Sequence, residues 1–236
     1  MFTEASSTWF TLEPMTGPEI VYAAGLGICT WRLAWLRLWR ELPVFFAFVA
    51  GSLVITLLPW HPKDLVWCST WGLWTVDVPT FALTVSVVLE LLRATRSKMR
   101  VGEFRLLQWS LVGMVLNCSF VFWRFVPAPA GGWYFRLMAD RQFAMIELFA
   151  VALVLTLYAW AKEVEVPRFL RVHAGLLCAL LAGRNLTNLC DSHTGLVKAF
   201  GWNALDSFWF LWSAACFMAW ALVLPWLVSR ERRGEL

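Results

Sequence analysis

Apolar and polar positions along the chain alternate in long stretches rather than residue by residue. Seven apolar blocks fall at about 18–36, 43–60, 69–92, 104–126, 138–161, 169–190 and 204–228, each near the ~20 residues a helix needs to cross a bilayer. The breaks between them carry turn or charge signals: Glu41-Leu42-Pro43, WHPKD from Trp60, RATRSKMR from Arg93, PAPAGG from Pro127 and KEVEVPR from Lys162. The pattern predicts an all-α fold, a polytopic membrane helix bundle with seven transmembrane helices. The expected plan is an outer tail over 1–17, a transmembrane domain over 18–228 and a cytoplasmic tail over 229–236. Two acids and no base precede the first block, the reverse of a secretory leader, so the first span is expected to be kept as an anchor.

Charge sets the orientation. Arg37 and Arg40 follow the first block, Arg93, Arg96, Lys98 and Arg100 the third, Lys162 and Arg168 the fifth, and Arg230, Arg232 and Arg233 the seventh. The alternate breaks hold only Lys63, then Arg136 and Arg141, then Lys198. Basic loops stay in the cytoplasm, which puts the N-terminus outside and the C-terminus inside; an even number of spans would spoil the alternation. Composition agrees: 60% of residues are hydrophobic, 15% are charged, and mean hydropathy is +0.63. Many of the 17 tryptophans sit at block ends, where an indole keeps its ring apolar and its N–H wet. The bilayer is therefore the expected partner, in a cell membrane (the inner one in a bacterium). Nothing in the chain calls for nucleic acid, and no protein partner is identifiable.

Blocks one to three and five to seven share a topology around a lone fourth. Glu41-Leu42-Pro43-Val44-Phe45 aligns with Glu165-Val166-Pro167-Arg168-Phe169, Ala50-Gly51 with Ala174-Gly175, and Ser69 to Trp74 with Ser207 to Trp212. Chance matching in a Trp- and Leu-rich chain accounts for this as readily as a duplication. A real duplication would be a parallel three-plus-one-plus-three repeat, a plan that places ligands between the halves. That plan is similar to the one used by SWEET transporters, and the span count and orientation are similar to those of opsins and G-protein-coupled receptors. The residues of those families do not follow: there is no Pro-Gln dipeptide, no lysine in the seventh block, and Glu90 to Arg93 reads ELLR at the inner end of the third. No family is assigned.

Candidate chemistry lies in the outer halves of the blocks. A charge inside a bilayer is costly and so marks a functional or structural contact. Asp77, Asn117, Glu147, Arg184, Asn188 and Asp206 fall at similar depth on five helices, and Trp71 and Trp74 share a face of the third with Trp67. Together they are the expected ligand-binding set of an outward-facing polar cavity, with Arg184 paired to Asp77 or Glu147. A polar network that only ties helices together is the competing explanation. Pro79, two residues past Asp77, is a candidate kink. Cys68 and Cys190 end their blocks on the oxidising side; a disulfide there would tie block three to block six, and two free thiols stand as the alternative.

Catalysis has little support. HExxH, a last-span HxxxH and GxSG are absent, the six cysteines form no CxxC, and the sequons at Asn117 and Asn185 lie inside spans. No catalytic residue, metal site or cofactor is expected. The chain reads as a small-molecule binding or transport protein. A receptor signalling to a cytoplasmic partner and a structural subunit of a membrane complex are the alternatives.

Overall fold

The computed structural model describes residues 15–57, 78–96, 100–124, 132–161, 166–192 and 202–232, with backbone alone at 78, 114–115, 117–124, 132–144, 188–192, 202–203 and 231–232. Their regular structure is helical throughout: α1 (Gly17–Trp35), a 3-10 turn (Leu38–Arg40), α2 (Pro43–Leu57), α3 (Val78–Thr95), α4 (Val101–Arg124), α5 (Gly132–Ala161), α6 (Arg168–Ser192) and α7 (Trp202–Arg232). The seven α-helices fall on the seven apolar blocks, so the all-helical expectation holds and no strand occurs among the described residues. Pro79 lies in the first turn of α3, where a proline costs no helical hydrogen bond.

Helix starts are built by two different devices. In α1 the Thr16 N–H donates to the Glu19 carboxylate at 2.7 Å, and in α4 the Arg100 N–H donates to Glu103 at 3.1 Å. In both, an acid three residues into the helix reaches back to the flanking N–H. The start of α2 has no such acid, and Leu42, which precedes it, offers no side-chain oxygen. Pro43 has no N–H, the Phe46 N–H goes to the Leu42 carbonyl at 3.0 Å, and the N–H groups of Val44 and Phe45 remain. Both donate to Glu90 of α3, Val44 at 2.8 Å and Phe45 at 2.9 Å. A carboxylate from 45 residues away thus caps α2, at the end where the helix dipole favours negative charge.

Hydroxyls inside the helices are mostly satisfied locally. Thr56, Thr84, Thr95, Ser110, Thr156 and Thr187 each donate to the carbonyl four residues back, at 2.7–3.0 Å. Thr156 also lies 3.0 Å from the Ala174 carbonyl, which links α5 to α6.

The helices close into a ring. Neighbours in order are α1, α2, α3, α5, α6 and α7, and α7 returns to α1. Among the described residues α4 stands outside the ring with its main contact on α5, while α3 meets α5 directly. The α1–α7 seam is close because Gly25 has no side chain: a Cβ there would sit 3.3 Å from the Ala214 Cα. Tyr22 packs on Phe210 and Phe217 at ring distances of 5.4 and 6.0 Å, Gly25 faces Ala214, and Phe45 just beyond α1 packs on Trp220, so residue numbers rise together and the two helices run parallel. One helix among the described residues, α7 over Ala204–Arg230, is long and apolar enough to cross a membrane, and Pro43–Leu57 and Met145–Ala161 are shorter apolar stretches. By length and composition alone, this is a slight indication of membrane association.

Removing the cap of α2 should loosen the ring where α2, α3 and their neighbours meet. Glu90→Ala strands two backbone donors and is expected to cost about 3 kcal/mol, with Glu90→Gln costing roughly half of that. Thermal unfolding of the purified protein measures both; equal stability of Glu90→Ala and wild type would contradict the assignment.

Candidate functional site

Two levels of polar side chains stand out in the bundle. At one end of the bundle Arg184 of α6 is half-buried, with its guanidinium carbon 4.9 Å from the centre of the Trp209 ring on α7. A guanidinium is held over an indole face by the negative charge of the ring's π cloud. Tyr22 of α1 lies within electrostatic range of Arg184. Asp206 is exposed one turn before Trp209, on the face of α7 that carries Trp209 and Phe210. An arginine, a carboxylate, a phenol and an indole from three helices therefore share one end of the bundle.

Next to Arg184, Asn185 is buried and points the other way. Its Nδ2 donates to the Met145 carbonyl of α5 at 3.1 Å and to the Leu181 carbonyl at 3.0 Å, a tie between helices rather than a ligand contact. One turn inward on α7, the Trp212 indole N–H donates to the Ala179 carbonyl at 2.9 Å. That ring fits against α6 only because residue 183 is glycine: a Cβ there would overlap the indole Cδ1 and Nε1.

The expected ligand set meets this geometry unevenly. Arg184 and Asp206 come to neighbouring helices on either side of Trp209. Glu147 is exposed on α5, and no ion pair joins it to Arg184 among the described residues. Asn117 lies in α4, and Asn188 and Cys190 in α6, at positions described by backbone alone. Asp77, Trp71, Trp74 and Cys68 lie outside the described residues, as does one half of the proposed disulfide. Cys29, Cys178 and Cys216 are free thiols. No group of three or more metal-ligating side chains occurs among the described residues.

The second level, around His173, holds contacts that sequence reasoning passed over. His173 of α6 is fully buried; its Nδ1 accepts the Trp220 indole N–H at 3.1 Å, and Phe45 of α2 stands edge-on to the imidazole at 4.7 Å. Phe45 also packs on Trp220 at 4.7 Å, so α2, α6 and α7 meet at one aromatic–imidazole cluster, directly beside the Glu90 cap on the Phe45 backbone. Arg171, buried on α6, lies over Trp160 of α5 at 5.7 Å. The sequence signal existed: Glu90 and His173 interrupt otherwise apolar stretches. Their membership in one cluster depended on which helices are neighbours.

No protein-family model matches the chain, and neither a curated protein nor a solved structure matches it. The site therefore stands on its own chemistry.

Gly183→Ala should drive the Trp212 indole out of its notch and break its bond to Ala179. The expected loss is about 1–3 kcal/mol of stability, the usual range for overpacking. Chemical or thermal unfolding checks it, with Gly27→Ala, where a Cβ meets nothing within 4 Å, as the neutral control.

Proposed function

We propose that this chain is a seven-span membrane protein that takes up a small molecule at its outer side and passes it between two three-helix halves. In this reading the N-terminus lies outside and the C-terminus in the cytoplasm, because the basic loops alternate and inner loops attract anionic lipid. The observation that carries the proposal is the ring order. Exchanging α1, α2 and α3 with α5, α6 and α7 maps every main contact of the ring onto another one: α1–α2 onto α5–α6, α2–α3 onto α6–α7, and α1–α7 onto α5–α3. That is the contact pattern expected of a parallel repeat, with α4 as the connecting helix. A simple serial bundle would instead place α4 between α3 and α5.

The surface supports the bilayer part of the reading. Large apolar side chains are exposed on α1, α2, α4, α5 and α7, and Leu106 and Trp109 of α4 are each 69% exposed. Monomeric soluble proteins rarely show apolar surface on so many sides. The outer level supplies the ligand chemistry: Arg184 offers donors, Asp206 acceptors, and Trp209 and Tyr22 flat walls.

Alternating access is tested by a single cysteine at Thr80 of α3, in a background without native cysteines. Labelling by a membrane-impermeant thiol reagent in both right-side-out and inverted vesicles is the expected result. Labelling from outside alone would replace transport with a receptor-like pocket. No labelling from either side would make the polar level structural and end the ligand reading.

A further inference from the structure

We infer that the ligand crosses between the two halves along the face that α6 and α7 turn toward Phe45 of α2, at the seam of these two helices, and that this ligand is uncharged. The inference rests on the transport reading above and adds a route and a substrate class to it. On α7, Trp209, Ser213, Cys216 and Trp220 recur at intervals of four, three and four residues and so lie on one face. On α6, His173 and Arg184 are likewise three turns apart on one face. The two stripes face each other, because they are joined at both ends: Arg184 over Trp209 at 4.9 Å outside and Trp220 to His173 at 3.1 Å inside. The stretch between these joints spans roughly 16 Å along the helix axis.

Between the joints the seam carries polar atoms that the fold itself does not use. Ser213 is fully buried, and its Oγ has no hydrogen-bond partner among the described residues. That sets it apart from the hydroxyls that bond back to their own helix. His173 is also fully buried. With Nδ1 accepting from Trp220, its neutral ring carries the proton on Nε2, and Nε2 likewise has no partner. An unpaired buried donor and an unpaired hydroxyl are costly in an apolar bundle and are explained by a ligand that meets them in passing.

The charge pattern decides what that ligand is. The seam holds no Asp, Glu, Lys or Arg between Asp206 and Arg230 on α7, or between Arg171 and Arg184 on α6. The helices across from it agree: α1 has none between Glu19 and Arg32, α2 has none, and α3 has none before Glu90. An ion moving through this stretch would carry its full desolvation cost with no counter-charge. A neutral solute bearing hydroxyl, carbonyl or amide groups would find a donor in Nε2–H, a donor or acceptor in the Ser213 hydroxyl, and indole faces above and below.

Three methanethiosulfonate reagents of similar size test this: neutral hydroxyethyl, cationic trimethylammonium-ethyl and anionic sulfonatoethyl. Ser213→Cys as the single cysteine is the first probe. Native Cys216 as the single cysteine is the second, and leaves every polar group of the seam in place. The expected result is modification by the neutral reagent at least an order of magnitude faster than by either charged one, with His173→Leu slowing the neutral reaction. Equal rates for charged and neutral reagents would overturn the uncharged class. No modification at either position would overturn the path; if Thr80→Cys still labels, the outward cavity survives that result and the seam alone is lost.

Discussion

The architecture depends on how α2 begins. An apolar bundle cannot leave backbone N–H groups without acceptors, and the first turn of α2 has two that nothing local can satisfy. Glu90 takes both, so α3 must lie where its carboxylate reaches Val44 and Phe45. Phe45, positioned by that cap, sets its ring against His173 and Trp220 and so joins α2 to α6 and α7. One carboxylate thereby links α3 and α2 to α6 and α7 through a single phenylalanine.

Close packing does the rest by a different means. Where two helices must approach, small residues clear the way: Gly25 against Ala214 on the α1–α7 seam, and Gly183 beneath Trp212 on the α6–α7 seam. Aromatic rings fill the wider gaps, and arginines are held over rings at both levels. The result is a closed ring of six helices with α4 outside it, joined chiefly to α5. The amide of Asn185 and the hydroxyl of Thr156 bridge α5 and α6, while among the described residues Ser213 Oγ and His173 Nε2 lack a partner on the α6–α7 seam, as do Thr30 Oγ1 and Asn185 Oδ1 elsewhere.

Helix number and position were legible in the sequence because apolar blocks and Pro- or charge-bearing breaks are local signals. Observed ends such as Pro43 and Ala161 fall where the blocks change. The partners of individual side chains were not legible, since they depend on the ring order. The expected pairing of Arg184 with Asp77 lies outside the described residues; Arg184 stands over the Trp209 ring, and Glu147 is exposed on α5. His173 has no part in the sequence pattern, and Glu90 enters it only as the first residue of ELLR. Both matter through residues more than forty positions away, a relation that no spacing rule along one helix can reveal. The aligned segments around Pro43 and Pro167 each stand at the start of a helix, α2 and α6.

The central claim is an odd-numbered bundle whose first and last helices run parallel, entering from outside and ending inside. Sidedness of the two ends tests it most directly. Single cysteines at Met15 and at Ser229, both exposed, would be treated on intact cells with an impermeant thiol reagent. Labelling at Met15 without permeabilisation, and at Ser229 only after it, is the predicted result. Both positions reacting from the same side would contradict the seven-span frame, and with it the passage of a ligand between two parallel halves.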